Sequence, residues 1–130
     1  MKVKNQQLNK VFGSNELFLR EMMGVSQAHV GRTSGVSQRT ISNIESMGEA
    51  GSPTLDTVEL LSEYYDAPAW QLLLPGISQD KAKRDAANEL FTIFSKSGCE
   101  AREQIIENAR RLWKVEALKQ ELDELKRSKN

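Results

Sequence analysis

The sequence holds one cysteine, one histidine and three prolines in 130 residues. Cys99 has no intrachain partner, so no disulfide framework supports the fold, and this count fits a reducing compartment. His29 and Cys99 together fall short of a His/Cys metal cluster, and no metal or cofactor is expected. Aromatics are only 6% of the chain, which points to a core of Leu, Ile, Val and Ala on helices. No apolar run approaches the roughly 20 residues that span a bilayer. The opening MKVKNQQLNKVFG lacks the apolar stretch of a signal peptide, so a cytoplasmic protein with no membrane partner is expected. No carboxylate pair stands out as a general acid and base, so no enzyme is expected.

Net charge is also missing. Lys and Arg total 18 and so do Asp and Glu, a sum that by itself argues against nucleic acid as a partner. The distribution reverses that argument. Residues 1–44 carry Lys2, Lys4, Lys10, Arg20, Arg32 and Arg39 against Glu16 and Glu21, while residues 45–76 carry six acids and neither Lys nor Arg. Steering depends on the local field, so the first segment can face phosphate while the second faces away.

With 38% hydrophobic and 28% charged residues, the composition is that of a globular protein. Residues 1–13 form an arm or a short leading helix. Asn15 is placed to cap a helix over Glu16–Met23 that uses Leu17, Leu19 and Met22 or Met23, with Gly24 ending it. Ser26 caps a segment over Gln27–Thr33 with Ala28 and Val30 inward. Ser37 caps Gln38–Ser46, where Ile41 and Ile44 are three apart. MGEAGSP (Met47–Pro53) is a loop. Thr54 opens a helix over Leu55–Tyr65, and a short helix over Ala69–Leu74 ends before Pro75-Gly76. The predicted fold is all-α: five helices in residues 1–76, then a two-helix region in 77–130.

The stretch SQAHVGRTSGVSQRTISNIE (Ser26–Glu45) carries the chemistry. Two short helices, each opened by Ser-Gln, flank a turn containing Gly35. This is the size of the two-helix unit whose second member enters the DNA major groove. Ser26 and Ser37 satisfy backbone donors at the helix starts, and in a complex such termini suit phosphate oxygens. Ala28, Val30, Val36, Ile41 and Ile44 are small or branched, as a close crossing needs, and Gly35 suits a position a side chain would crowd. Gln38, Arg39, Thr40 and Asn43 remain as polar side chains of the second helix. Gln and Asn address adenine edges, Arg addresses guanine, and Thr reaches bases or phosphate.

Residues 16–74 resemble the lambda-repressor-like helix-turn-helix family of phage repressors, Cro proteins and xenobiotic-response-element type regulators. The resemblance rests on Leu19-Arg20 before Gly24, Val25-Ser26-Gln27, Val30, Gly35-Val36-Ser37-Gln38, Ile41-Ser42, Ile44-Glu45, Pro53, Leu55 and Leu60-Leu61. It implies a transcriptional regulator, usually a dimeric repressor on inverted-repeat operator DNA. It also implies base contacts from Gln38, Arg39 and Asn43, Thr40 near a phosphate or thymine methyl, a phosphate clamp at Gln27, and core support or a backbone contact from Arg20. Val30-Gly31 departs from the family's usual Leu-Ala, and Gly31 costs about 1 kcal/mol against Ala unless close packing requires it. His29 is expected on the exposed side of its helix.

After Gly76 the composition changes. Ser78 or Asp80 starts a helix with Ala82, Ala86, Leu90, Ile93 and Phe94 as apolar positions, and Ser97-Gly98 breaks it. Ala101 to about Arg127 reads as one long charged helix. Leu112, Val115, Leu118, Leu122 and Leu125 lie along a stripe, with Trp113 beside it. Heptad spacing begins only at Val115, so a hairpin that pairs with a second copy is expected rather than a long coiled coil. The region is too short for the self-cleaving peptidase domain of some phage repressors. A competing reading is an antitoxin or antirepressor partner whose helical tail binds a second protein.

Overall fold

A computed structural model of the chain describes residues 5–77 and 79–129, with side chains from Gln7 onward. Lys2, Lys4 and Ser78 lie outside the described residues. The described residues form seven helices and no strand: α1 (Asn5–Met23), α2 (Gln27–Ser34), α3 (Gln38–Glu45), α4 (Leu55–Tyr65), α5 (Ala69–Leu72), α6 (Lys81–Lys96) and α7 (Cys99–Ser128). None of these helices is long and apolar enough to cross a membrane. Contacts divide the chain into two compact units after Ala86, within α6.

In the first unit, α1 packs on α3 and α5, α2 on α3 and α4, and α4 on α5. The core is Phe12, Leu19, Val30, Val36, Ile41, Ile44, Val58, Leu61, Tyr65, Ala67 and Leu72. Burial of each large aliphatic side chain contributes about 2 kcal/mol. The local capping signals produce the expected helix starts. Ser26 Oγ accepts from the His29 amide, Ser37 Oγ from Thr40 and Thr54 Oγ1 from Thr57, at 3.1, 3.1 and 3.2 Å. Gly35, at φ 82°, ends α2, and Asp66, at φ 50°, ends α4.

α1 departs from the expectation. It runs unbroken from Asn5, so residues 5–13 continue into the helix rather than forming an arm or a separate short one, and Asn15 is no cap. Asn15 is buried, and its amide donates to the carbonyls of Leu72 and Leu74 at 2.9 and 2.7 Å. Gly13 lies within the helix where α3 ends against it: a Cβ there would stand 2.3 Å from the Ile44 carbonyl oxygen. Met22 or Met23 is expected to supply an apolar position of this helix, and both are exposed. The first unit also reaches past Gly76, since Gln71 donates to the Arg84 carbonyl at 2.8 Å and both residues are buried.

The second unit is the end of α6 and the whole of α7. At the corner between them Arg102 stacks on Phe94, 5.4 Å from the ring centre, and donates to the carbonyls of Phe94 and Ser95. No residue of α7 is buried. The contacts described between the two helices are confined to this corner.

Candidate nucleic-acid interface

α2, the turn at Gly35 and α3 form the expected two-helix unit, and α3 ends against α1. Gly35 is not the crowded position the sequence reading expected, whereas the close packing it allowed for Gly31 is present. Gly35 has open space where a Cβ would sit, and its requirement is the positive φ. Gly31 is the crowded one: a Cβ would lie 2.9 Å from the Val36 carbonyl and 3.1 Å from the Gln38 nitrogen. That contact sets how closely the start of α3 approaches α2, and it accounts for a glycine inside a helix.

Ile41 and Ile44 are buried on one side of α3, which fixes the opposite side outward. Gln38 and Arg39 are exposed, and Thr40 and Asn43 are half-buried. Thr40 Oγ1 lies 2.8 Å from Ser37 Oγ, so the start of the helix is locally ordered. Beside Thr40 and Asn43 runs a groove of about 230 Å³ whose other wall includes Ser52, Thr54 and Thr57. Sequence reading missed these three, because only the fold brings the loop after α3 and the start of α4 alongside it.

The expected phosphate contacts divide. Ser26 and Ser37 lie at exposed helix starts, with their hydroxyls already engaged as caps. Arg20 points inward. Its Nε and one terminal nitrogen bind the two oxygens of Glu45, and the other terminal nitrogen donates to the Val25 carbonyl at 2.9 Å. Each of its three guanidinium nitrogens is thus engaged inside the protein, an arrangement that suits a supporting role better than a phosphate contact. Gln27, half-buried at the start of α2, donates to Glu45 Oε2. Glu45 thus gathers α1, α2 and α3 on one carboxylate. Burial acts to raise its pKa, but hydrogen bonds with Arg20, Glu16 and Gln27 outweigh burial and hold it below the usual carboxylate range.

A second carboxyl lies beneath this one. Glu16 is 0% exposed and accepts from the Tyr65 hydroxyl at 2.8 Å. Burial, reinforced by the neighbouring Glu45, pushes Glu16 up to about 8. Burial also drives the Tyr65 hydroxyl far above its ordinary value, so it remains a donor. The sequence gives no local sign of this acid, which occupies an apolar phase of α1.

Cys99 is exposed at the first residue of α7. Among the described residues no group of three or more His, Cys, Asp and Glu side chains could hold a metal ion.

Comparison with known proteins bears on the same segment. The helix-turn-helix family model matches residues 18–69. No curated protein matches the chain. A crystal structure of a hypothetical transcription factor, NHTF, from Neisseria is similar at 26% identity, over 58% of this chain and 85% of that one, with a TM-score of 0.49. Residues 18–69, with their two capped helices, their glycine turn and the inward-facing Arg20, are similar to the helix-turn-helix family of the lambda-repressor-like, xenobiotic-response-element type.

Proposed function

We propose that this chain is a sequence-specific DNA-binding transcriptional regulator, acting as a repressor on operator DNA in the cytoplasm. The observation that carries the reading is α3. It is a helix seated by Ile41 and Ile44 that presents Gln38 and Arg39 outward, with Thr40 and Asn43 at its edge. Side chains of these types, on a helix of this size, suit the edges of bases in the major groove. Gln27 and the amides at the starts of α2 and α3 suit the flanking phosphates.

A single reading helix contacts a short half-site, so affinity calls for a second copy. The exposed face of α7 is the proposed contact: Leu112, Trp113, Val115, Leu118, Leu122 and Leu125 all lie open to solvent. Covering roughly 600 Å² of such surface yields a gross gain of about 15 kcal/mol before ordering costs. Selection of bound duplexes from random DNA tests both parts. An inverted repeat bound with steep salt dependence supports a dimeric reader. Stable co-purification with one other protein, and no selected site, transfers the function to the antitoxin or antirepressor-partner reading, for which the open face of α7 would serve equally.

A further inference from the structure

The strongest feature outside the reading face is the buried acid beneath it. Glu16 on α1 is sealed from solvent. One of its oxygens is held by Tyr65 of α4, and Oε2 receives no donor. Next to it stands Glu45 of α3, whose oxygens already accept from Arg20 and Gln27. Among the described residues, the titratable or charged groups that face Glu16 are Glu45 from α3, Tyr65 from α4, and Arg20 from α1 itself. α5, also packed on α1, contributes only Ala69, Trp70, Gln71 and Leu72 and so no titratable group.

Two carboxylates side by side with one arginine leave a negative charge uncompensated in a buried setting, which is strongly unfavourable. A proton on Glu16 removes that charge and turns the partnerless oxygen into a donor toward Glu45. The contact between the two acids then becomes a hydrogen bond rather than a repulsion.

We propose that Glu16 is a positioning residue for DNA reading: it shares one proton with Glu45, and loss of that proton loosens Arg20 and Gln27 from Glu45, so that operator binding is linked to proton uptake. The chain of contacts is short. An ionised Glu16 repels Glu45 and competes with it for Arg20, and Glu45 is the group that holds the start of α2 against the end of α3. The burial that makes Glu16 hard to ionise places its titration at about pH 8, within reach of an ordinary binding experiment. The linkage rests on the DNA-binding reading, whereas the shared proton does not.

The test uses the full chain in two experiments. Carbon-detected NMR of the glutamate carboxyls in the free protein follows Glu16 and Glu45 from pH 4 to pH 10. Duplexes selected from random DNA then report affinity at constant salt between pH 7 and pH 9. The expected result is a Glu16 carboxyl that titrates near pH 8, with affinity falling about fivefold over the range, within the tenfold per pH unit that one linked proton allows. Glu16→Gln keeps an acceptor for Tyr65 and supplies a donor to Glu45, and its affinity profile is expected to be flat. Tyr65→Phe removes the hydrogen bond that favours the ionised form, so the midpoint is expected to move to higher pH, a readout that does not depend on how Glu16→Gln folds. Titration of both carboxyls near pH 4.5 overturns the proposal, as does a Glu16→Gln profile identical to that of the unaltered protein. If no duplex binds at any pH, the DNA reading fails and takes the linkage with it, while the carboxyl titration still decides whether the pair holds one proton.

Discussion

Arg20 and Arg39 carry the same guanidinium into opposite settings, and their substitutions separate stability from recognition. Arg39 is exposed on α3. Arg39→Ala is expected to leave the melting curve and oligomeric state unchanged and to weaken specific binding by about 1–3 kcal/mol, the range for a bidentate base contact. Unchanged affinity for a selected duplex would remove Arg39 from the contact set. Arg20→Ala is expected to act on stability first, with any loss of binding following from the loosened Glu45. Its pair with Glu45 has side-chain exposures of 16% and 8%, so deletion leaves a buried carboxylate unmatched, at a cost of about 3 kcal/mol by denaturant titration.

Glu16 adds a pH term to stability. Unfolded, it releases its proton near 4.5; folded, it keeps it to about 8. Between those values the folded chain binds more protons than the unfolded one, so this group's contribution falls as pH rises, and it levels off above pH 8. Glu45, held low, works the other way, contributing stability above its unfolded value that is lost as pH falls. Urea titrations from pH 5 to 9 are expected to show a downward slope that Glu16→Gln flattens. The same slope in both proteins would count against a buried neutral Glu16.

Elements were legible where their cause is local. Ser26, Ser37 and Thr54 each satisfy an amide three residues on, so a reader of sequence finds these helix starts without knowing the fold. α3 was legible as well, since Ile41 and Ile44 fix its face. α1 was not. Asn15 looks like a cap, yet its partners are Leu72 and Leu74, and Gly13 meets Ile44, all far along the chain. Propensity alone favours Gly13→Ala by about 1 kcal/mol. The Ile44 carbonyl at 2.3 Å reverses the sign, and the substitution is expected to destabilise by about 2 kcal/mol through overpacking. A rise in melting temperature would show that α1 and α3 separate more freely than their contact implies.

The two units of the molecule differ in what holds them. The first has a shared core and polar ties among its helices. The second offers a 30-residue helix with no buried residue, and solitary helices gain most of their stability from packing. Leu118→Asp combined with Leu122→Asp is therefore expected to abolish self-association in sedimentation and to lower helix content, while leaving the cooperative melt of the first unit in place. Retained self-association would place the contact elsewhere. The tie from Asn15 to Leu72 and Leu74 has a further consequence, in the timing of folding. It joins groups 57 and 59 positions apart, and closure of long loops is the slow part of assembling a small domain. During synthesis, which proceeds from the N-terminus, α1 waits for its last partners until Leu74 has emerged, although α3 was completed nearly thirty residues earlier. A chain released before that point carries α3 without the finished support beneath it.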